Sequence, residues 1–372
     1  MKIERLELRL LKLPLVHFFE TSFGRIDDKH FILVRVDGGG VSGYGECVAD
    51  VDPYYSSETN DTCWHIISDF IAPRVIGADF AHPRAVFPAL RAIRGHNMAK
   101  AAVEMAAWDL YAKQRGEPLS RTLGGARDRI ESGVSVGIQN SLDELVATVE
   151  RELAAGYRRI KIKVKPGRDL DAVEALRARF GPIPMMVDAN AAYSITDADH
   201  LAALDAYDLM MIEQPLDYDD VADHAALQRR LRTPICLDES IKTVGIASQA
   251  IAAGACRIIN IKPGRVGGFA ESVRLHDLCA SRRVPVWHGG MLESGIGRAA
   301  NIHLSTLPNF TLPGDIAASR RYFDPDLIEP PIEVAADGTI AVPTAPGIGV
   351  AIRHDRIDAA TLKQIVIEGV QA

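Results

Sequence analysis

The pattern of apolar and polar residues changes near residue 130, and the part before it predicts a small β-rich unit. Ile3–Leu13 alternates between apolar and polar residues, which is typical of a half-buried strand. Phe31–Val36 and Val41–Val48 are rich in β-branched and aromatic residues, and a glycine-rich turn separates them. Two such runs around a glycine turn predict a β-hairpin. Helices are predicted near Ser57–Ile71 and Met98–Arg115.

From about residue 130 another unit repeats, made of a short apolar strand, a polar turn and a helix. The predicted strands are Ser132–Gly137, Arg159–Lys163, Pro184–Asp188, Leu209–Glu213, Pro234–Asp238, Arg257–Lys262, Val284–Trp287 and Phe310–Pro313. Five consecutive strands end at residues spaced 24 or 25 apart, namely Lys163, Asp188, Glu213, Asp238 and Lys262. This spacing fits one βα unit, and eight units predict a (β/α)8 barrel. Because right-handed crossovers make the strands parallel, these five residues should share the C-terminal end of the barrel.

We therefore predict an α/β fold in three segments. Residues 1–128 form an α+β capping domain, and residues 129–326 form a modified TIM barrel of the (β/α)8 type. Residues 327–372 form a C-terminal segment that packs back on the cap and completes it. The first boundary follows Gly124–Asp128, which interrupts the helical pattern.

Composition and charge narrow the class of protein. The 372 residues are 47% hydrophobic and 24% charged, which is typical of a globular protein. The net charge of −7, without a basic stripe, argues against nucleic acid and anionic membranes as partners. The five cysteines lack CxxC spacing, and the N-terminus lacks the pattern of a signal peptide. We expect a cytoplasmic protein without a membrane span, assembled as a homo-oligomer, either a dimer or an octamer.

Three acidic residues, Asp188, Glu213 and Asp238, end three consecutive predicted strands. Neighbouring strands lie about 5 Å apart, so the three carboxylates should converge and repel one another. A divalent cation relieves that repulsion. Since all the ligands are oxygen atoms, the expected ion is Mg²⁺, with Mn²⁺ as the alternative.

Lysines flank the acids on both sides. Lys163 ends the strand before them and Lys262 ends the strand after them, so we predict an opposed pair of acid–base groups. Lys161 shares the face of Lys163, because residues i and i+2 of a strand point the same way. A nearby positive charge lowers the pKa of a lysine, so we expect Lys161 to act on Lys163 and Arg265 to act on Lys262.

Two bases across a metal ion suit the removal of a proton α to a carboxylate, so a small carboxylate is the expected substrate. Two other classes stay open at this point. A metal-free aldolase would use Lys163 or Lys262 to form a Schiff base. A binding protein on the same fold would have no task for the five charged groups.

Several motifs resemble the enolase superfamily, and within it the muconate-lactonizing subgroup. They are Lys161–Lys163, Val187–Asn190, Ile212–Pro215, Leu237–Ser240 and Asn260–Gly268. His288–Arg298 and Leu307–Gly314 are similar to the o-succinylbenzoate synthase / N-acylamino acid racemase family. This resemblance implies the ligand and lysine roles given above, with Asn190 and Glu239 contacting those groups. It also implies that Phe18–Gly24, with Phe19 and Phe23, closes over the substrate, and that Ser135 and Gly290–Glu293, including Met291, line the pocket.

The resemblance implies a Mg²⁺-dependent enzyme that dehydrates 2-succinyl-6-hydroxycyclohexadiene carboxylate, a menaquinone precursor, or racemises N-acylamino acids, or does both. Dipeptide epimerase and muconate cycloisomerase are the alternatives within the superfamily. Asp50 departs from the family, which usually has an apolar residue there, and this puts the identity of the substrate side chain in doubt. His288 is predicted to be a pocket wall or a hydrogen-bonded histidine without a catalytic role.

Overall fold

A computed structural model describes residues 1–369, so the last three residues of the predicted C-terminal segment lie outside the described residues. The strands are β1 (Arg5–Glu20), β2 (Arg25–Gly38), β3 (Val41–Cys47), β4 (Arg129–Glu131), β5 (Val134–Val136), β6 (Ile160–Lys163), β7 (Met185–Asp188), β8 (Ile212–Glu213), β9 (Ile235–Leu237), β10 (Ile258–Ile261), β11 (Val286–His288), β12 (Ile328–Glu329), β13 (Thr339–Ala341), β14 (Ala351–Ile352) and β15 (Thr361–Glu368).

The α-helices are α1 (Asn60–His65), α2 (Ala72–Val75), α3 (Val86–Ala89), α4 (Asn97–Gln114), α5 (Leu119–Leu123), α6 (Leu142–Ala154), α7 (Leu170–Phe180), α8 (Ala198–Ala202), α9 (Val221–Arg230), α10 (Val244–Ala253), α11 (Pro263–Val266), α12 (Phe269–Ser281), α13 (Gly295–Leu304) and α14 (His354–Ala360). A π-helical turn, Ile66–Ile71, connects α1 to α2.

The N-terminal strands β1–β3 and the C-terminal strand β15 form an antiparallel sheet in the order β15-β1-β2-β3. We call this sheet, together with α1–α4, the cap. Strand β1 continues to Glu20, beyond its predicted end at Leu13, and absorbs part of the expected loop Phe18–Gly24, so that β1 and β2 form a hairpin. The pairing register shifts between Pro14 and Phe19. Proline has no N–H to donate to the ladder, which explains a break in pairing there. Pairing then resumes at Phe19 and Glu20.

Helix α4 lies tightly on the sheet of the cap. A Cβ added at Gly45 would lie 2.0 Å from the carbonyl oxygen of Ala102, so only glycine allows this approach. The other side of α4 faces the barrel, where Glu104 accepts hydrogen bonds from the backbone N–H groups of Phe269 (2.7 Å) and Ala270 (2.9 Å). The helix is therefore buried on nearly all faces.

The second part of the chain forms seven consecutive parallel strands, β5 to β11, in chain order. The predicted eighth strand, Phe310–Pro313, is reduced to bridges at its two sides. Phe310 bridges Val286 and Gly314 bridges Ser132, both in the parallel sense. The α/β barrel fold is thus confirmed, with its eighth position held by single bridges.

The end of the described chain pairs with strands of both the cap and the barrel segment. Strand β15 pairs antiparallel with β1 of the cap, and β13 pairs with β4 at the start of the barrel segment. The predicted domain boundaries at residues 128 and 326 stay predictions. No helix of the described residues 1–369 is long and apolar enough to cross a membrane.

Candidate active site

The three predicted acidic ligands lie side by side at strand ends. Asp188 pairs in register with Glu213 across β7 and β8, and Asp238 follows the last residue of β9. All three side chains are completely buried. Each carboxylate therefore has to be neutralised from within the protein.

The two predicted acid–base lysines lie on opposite sides of this row. The Nζ of Lys163 lies 2.6 Å from Asp188 Oδ2 and 2.7 Å from Asn190 Oδ1. The Nζ of Lys262 lies 2.7 Å from Asp238 Oδ2. Asn190 in turn donates its amide to Glu239 Oε1 at 2.8 Å, so the structure brings these predicted groups together.

Lys161 has a different environment from Lys163. Its Nζ contacts Asp188 Oδ2 (3.1 Å), Glu213 Oε2 (3.0 Å) and Asp315 Oδ2 (2.6 Å). Burial lowers the pKa of Lys161, but these three carboxylates outweigh it and raise the pKa well above its usual value. Lys161 is therefore a fixed cation that neutralises carboxylates.

The pKa shifts of the acidic side chains depend on burial and on the charged groups next to them. Burial raises the pKa of Asp188, yet the ammonium groups of Lys163 and Lys161 outweigh burial and hold that pKa below its usual range. The pKa of Glu213 is raised well above its usual value, by burial first and then by the charge of Asp188. Burial, with Asp238 next to it, also raises the pKa of Glu239 to about 7.

The prediction for Lys262 and Arg265 needs a correction. Burial lowers the pKa of Lys262, but the Asp238 carboxylate outweighs burial, so the pKa is raised and not lowered as expected. The guanidinium of Arg265 binds the Asp238 carboxylate and donates to the carbonyl oxygens of Ile241 (2.8 Å) and Asn260. Arg265 therefore holds Asp238 in place.

The donor set fits a hard divalent cation. Carboxylates from three adjacent strand ends supply only oxygen ligands, and the charges of Asp188 and Asp238 add to burial in raising the pKa of Glu213. Glu239 Oε2 lies buried nearby without a hydrogen-bond partner among the described residues. As the side chains stand in residues 1–369, no group of three or more His, Cys, Asp or Glu is spaced to hold an ion. The ammonium groups of Lys161 and Lys163 lie against the carboxylate oxygens that such an ion would use.

Two cavities meet at the lysine pair, and we call them the cap lobe and the barrel lobe. Both are lined by Phe19, Lys163, Lys262, Gly290 and Leu292. The cap lobe continues along side chains of the cap and its loops, among them Phe23, Lys29, Asp50, Tyr54, Tyr55 and Met291. The barrel lobe continues into the interior, along Ser135, Glu293, Arg298, Asp315 and Tyr322.

The predicted substrate-binding residues thus fall into both lobes. Ser135 has a buried hydroxyl without a hydrogen-bond partner in the described part of the chain, so it is free to contact a substrate. Glu293 differs, because its carboxylate accepts from the backbone N–H of Met291 (2.9 Å) and from the Asn301 amide (2.8 Å). Glu293 shapes the loop that forms the wall of the barrel lobe.

His288 lies outside this site. Side chains alternate along a strand, and Trp287 faces the interior, where its ring lies 4.9 Å from Lys161 Nζ. His288 points the other way, stacks on Phe310 at 6.1 Å and lines a separate cavity with Arg127. It is therefore not a wall of the active-site cavity, and only one of its ring nitrogens has a hydrogen-bond partner among the described residues.

Three residues of the site were not assigned a role from the sequence. The hydroxyl of Tyr55 lies 2.9 Å from Asp238 Oδ1 and 3.1 Å from Lys262 Nζ. Asn260 donates to Glu213 Oε1 at 2.6 Å, and its position two residues before Lys262 on the same strand face is a signal that could have found it. Asp315, which binds Lys161, lies just beyond the predicted eighth strand.

Comparison with known proteins places these features in context. The N-terminal domain model of mandelate racemase / muconate lactonizing enzyme matches residues 7–124, and a model described as enolase C-terminal domain-like matches residues 144–356. The chain is 53% identical over 360 residues to an o-succinylbenzoate synthase of Geobacillus kaustophilus, covering 96% of both chains. It is 48% identical to an N-succinylamino acid racemase of Thermus thermophilus, covering 98% of both. A solved enolase superfamily member from Listeria innocua superimposes with a TM-score of 0.95 at 39% identity, covering 99% of both chains.

Proposed function

The chain belongs to the mandelate racemase / muconate lactonizing enzyme family of the enolase superfamily, and on that basis we propose that it is a Mg²⁺-dependent o-succinylbenzoate synthase and N-succinylamino acid racemase. Both reactions begin with the transfer of a proton α to a carboxylate, so one site serves both. Relatives that carry each of these names align over nearly the whole chain.

One observation carries the proposal: two lysines face each other across three buried carboxylates. Lys163 Nζ and Lys262 Nζ each lie within hydrogen-bond distance of a different outer carboxylate, that of Asp188 or of Asp238. A substrate carbon between them exposes one face to each lysine. This is the arrangement that proton removal from one face and return to the other requires.

Each residue of the site has a separate role in racemisation. Asp188, Glu213 and Asp238 would hold the ion, which when bound supplies Lewis-acid stabilisation of the substrate carboxylate. Lys163 takes the α-proton from one enantiomer, and Lys262 delivers a proton to the opposite face. For the other enantiomer the two lysines exchange roles.

Dehydration uses the same groups in a different order. Lys163 removes the α-proton and then, acting as the acid, delivers it to the departing hydroxyl, which leaves as water. The ammonium of Lys262 stays charged and stabilises the negative charge that develops on the substrate.

Metal dependence tests the proposal. Excess EDTA should abolish both the dehydration of the cyclohexadiene substrate and the racemisation of an N-succinylamino acid, and Mg²⁺ or Mn²⁺ should restore them. The matched variant Asp238→Asn should need more Mg²⁺ for half-maximal activity, since an amide donates less charge than a carboxylate. Full turnover in excess EDTA, together with borohydride inactivation in the presence of substrate, would instead indicate Schiff-base chemistry.

A further inference from the structure

A buried ion pair forms part of the wall of the cap lobe. Lys29 on β2 has a side chain that is only 2% exposed, and its ammonium binds Asp50 Oδ1 and, at 3.3 Å, the carbonyl oxygen of Val48. The Asp50 side chain is 33% exposed, and both residues line the cap lobe. Lys29 is almost fully buried in the wall of the cavity, and Asp50 is the more exposed member of the pair.

One oxygen of Asp50 remains available to a ligand. Within residues 1–369, the only side-chain hydrogen bond of Asp50 uses Oδ1, so Oδ2 has no protein donor. Beside Asp50 the lobe is lined by aromatic rings, among them Phe23 and Tyr54, whose ring centroids lie 6.5 Å apart, and by two further carboxylates, Asp28 and Asp52. Asp28 pairs with Lys12 at 3.1 Å and Asp52 is exposed, so Asp50 is the carboxylate of the lobe that a buried cation fixes.

A fixed hydrogen-bond acceptor beside an apolar surface discriminates between ligands. A carboxylate oxygen loses its contact with water when an apolar group covers it, and this loss is not repaid by any hydrogen bond. A ligand group with an N–H donor replaces the lost water contact. Sites of this kind reject analogues that lack the hydrogen-bonding group.

Resting on the proposed function, we propose that Asp50 selects, among N-acylamino acids, those whose side chain enters the cap lobe and ends in an N–H donor. Lys29 is a positioning residue, because it fixes the Asp50 carboxylate and offsets its charge. The substrate class is therefore the N-acyl derivatives of glutamine-like amino acids in preference to those of methionine-like ones of equal length.

The measurement is the ratio of kcat/KM for N-succinyl-L-glutamine to that for N-succinyl-L-methionine, followed by exchange of the α-proton in D₂O with Mg²⁺ present. The wild-type protein should prefer glutamine. Asp50→Asn keeps an oxygen for Lys29 and presents an NH₂ group to the lobe, so the ratio should fall about tenfold, as expected for one hydrogen bond to a charged group. Asp50→Met combined with Lys29→Met avoids an unpaired buried ammonium, and it should invert the preference.

The matched control is Asp37→Asn, which changes another aspartate on the same strand as Lys29. Asp37 pairs with Arg35 at 2.7 Å, and neither residue lines the cap lobe, so the ratio should not change. A wild-type preference for methionine, or an unchanged ratio in both Asp50 variants, overturns the inference while turnover itself upholds the proposed function. Absence of exchange with either substrate overturns the proposed function and the inference with it.

Discussion

At the scale of single residues, local contacts give three neighbouring lysines different tasks. Lys161 touches three carboxylates and is fixed as a cation, whereas Lys163 and Lys262 each touch one carboxylate at the mouth of the cavities. Lys161 and Lys163 are two residues apart on one strand. Depth in the barrel therefore separates a structural cation from the two proposed acid–base groups.

Phe19 carries a prediction at the same scale, because its ring lines both lobes. It contacts Tyr322 edge-on, with ring centroids 6.5 Å apart, and it is only partly buried. Phe19→Ala should raise KM for N-succinylamino acids several-fold and lower the thermal midpoint only slightly, since the ring lines both lobes and is only partly buried against the core.

Phe18→Ala is the matched control, because that ring stacks under Arg25 and lines neither lobe. Steady-state kinetics and thermal melting of both variants give the test. A loss of stability in Phe19→Ala with unchanged kinetics would assign Phe19 to the core and refute its role at the substrate.

Residues at the strand ends could be placed from the sequence, and residues from loops could not. The spacing of Asp188, Glu213 and Asp238 follows from one βα unit per step, so their convergence was predictable. Tyr55 comes from a loop of the cap, and its distance from Asp238 depends on how the cap docks on the barrel. No local pattern encodes that docking.

At the scale of elements, the strands beneath the active site were predicted well, and the irregular ones were not. The predicted eighth strand, Phe310–Pro313, ends in proline, which cannot donate to a ladder, and single bridges take the place of the strand. The N-terminal strand was predicted to end at Leu13, but tertiary pairing with β2 carries it on to Glu20. Alternation of residues identifies a strand, and pairing partners decide where it ends.

The segment Phe18–Gly24, which was predicted to close over the substrate, shows how strand pairing affects the active site. The aromatic stretch around Phe19 has no strand periodicity, so the sequence predicted a loop. In the structure, only Thr21–Gly24 forms the turn, and Phe19 lies on a paired strand. The hairpin therefore presents Phe19 to both lobes from a regular element, which is a more precise support than a loop.

At the scale of the whole molecule, a buried histidine joins the barrel to α5 and to the C-terminal segment. His303 on α13 accepts the backbone N–H of Ser120 at Nδ1 (3.1 Å), and its Nε2 contacts the carbonyl oxygen of Ile348 at 3.1 Å. Three distant parts of the chain thus meet at one imidazole. Burial lowers the pKa of His303 to about 4.

This shift predicts how stability depends on pH. In the unfolded chain the pKa of His303 is about 6.5, whereas in the folded protein it is about 4. Its contribution is therefore present above pH 6.5 and is lost as the pH falls through 4, at a cost of about 3 kcal/mol in the free energy of unfolding. His303→Gln should lose less stability than the wild type between pH 7 and pH 5.

Urea unfolding at the two pH values measures this difference. His354→Gln is the control, because His354 is exposed on α14 and should keep the wild-type pH dependence. An equal loss of stability in His303→Gln and the wild-type protein would contradict the account of His303.

The central claim, that Lys163 and Lys262 serve opposite faces of one α-carbon, is tested most directly by ¹H NMR of each enantiomer of an N-succinylamino acid in D₂O with Mg²⁺. Lys163→Ala and Lys262→Ala should both fail to racemise, and each should still exchange the α-proton of one enantiomer, the opposite one in each variant. Lys165→Ala should behave as the wild type, since Lys165 follows on the same segment but pairs with Glu20 at 3.3 Å and lines neither lobe. Racemisation near the wild-type rate in either of the first two variants would contradict the two-lysine account.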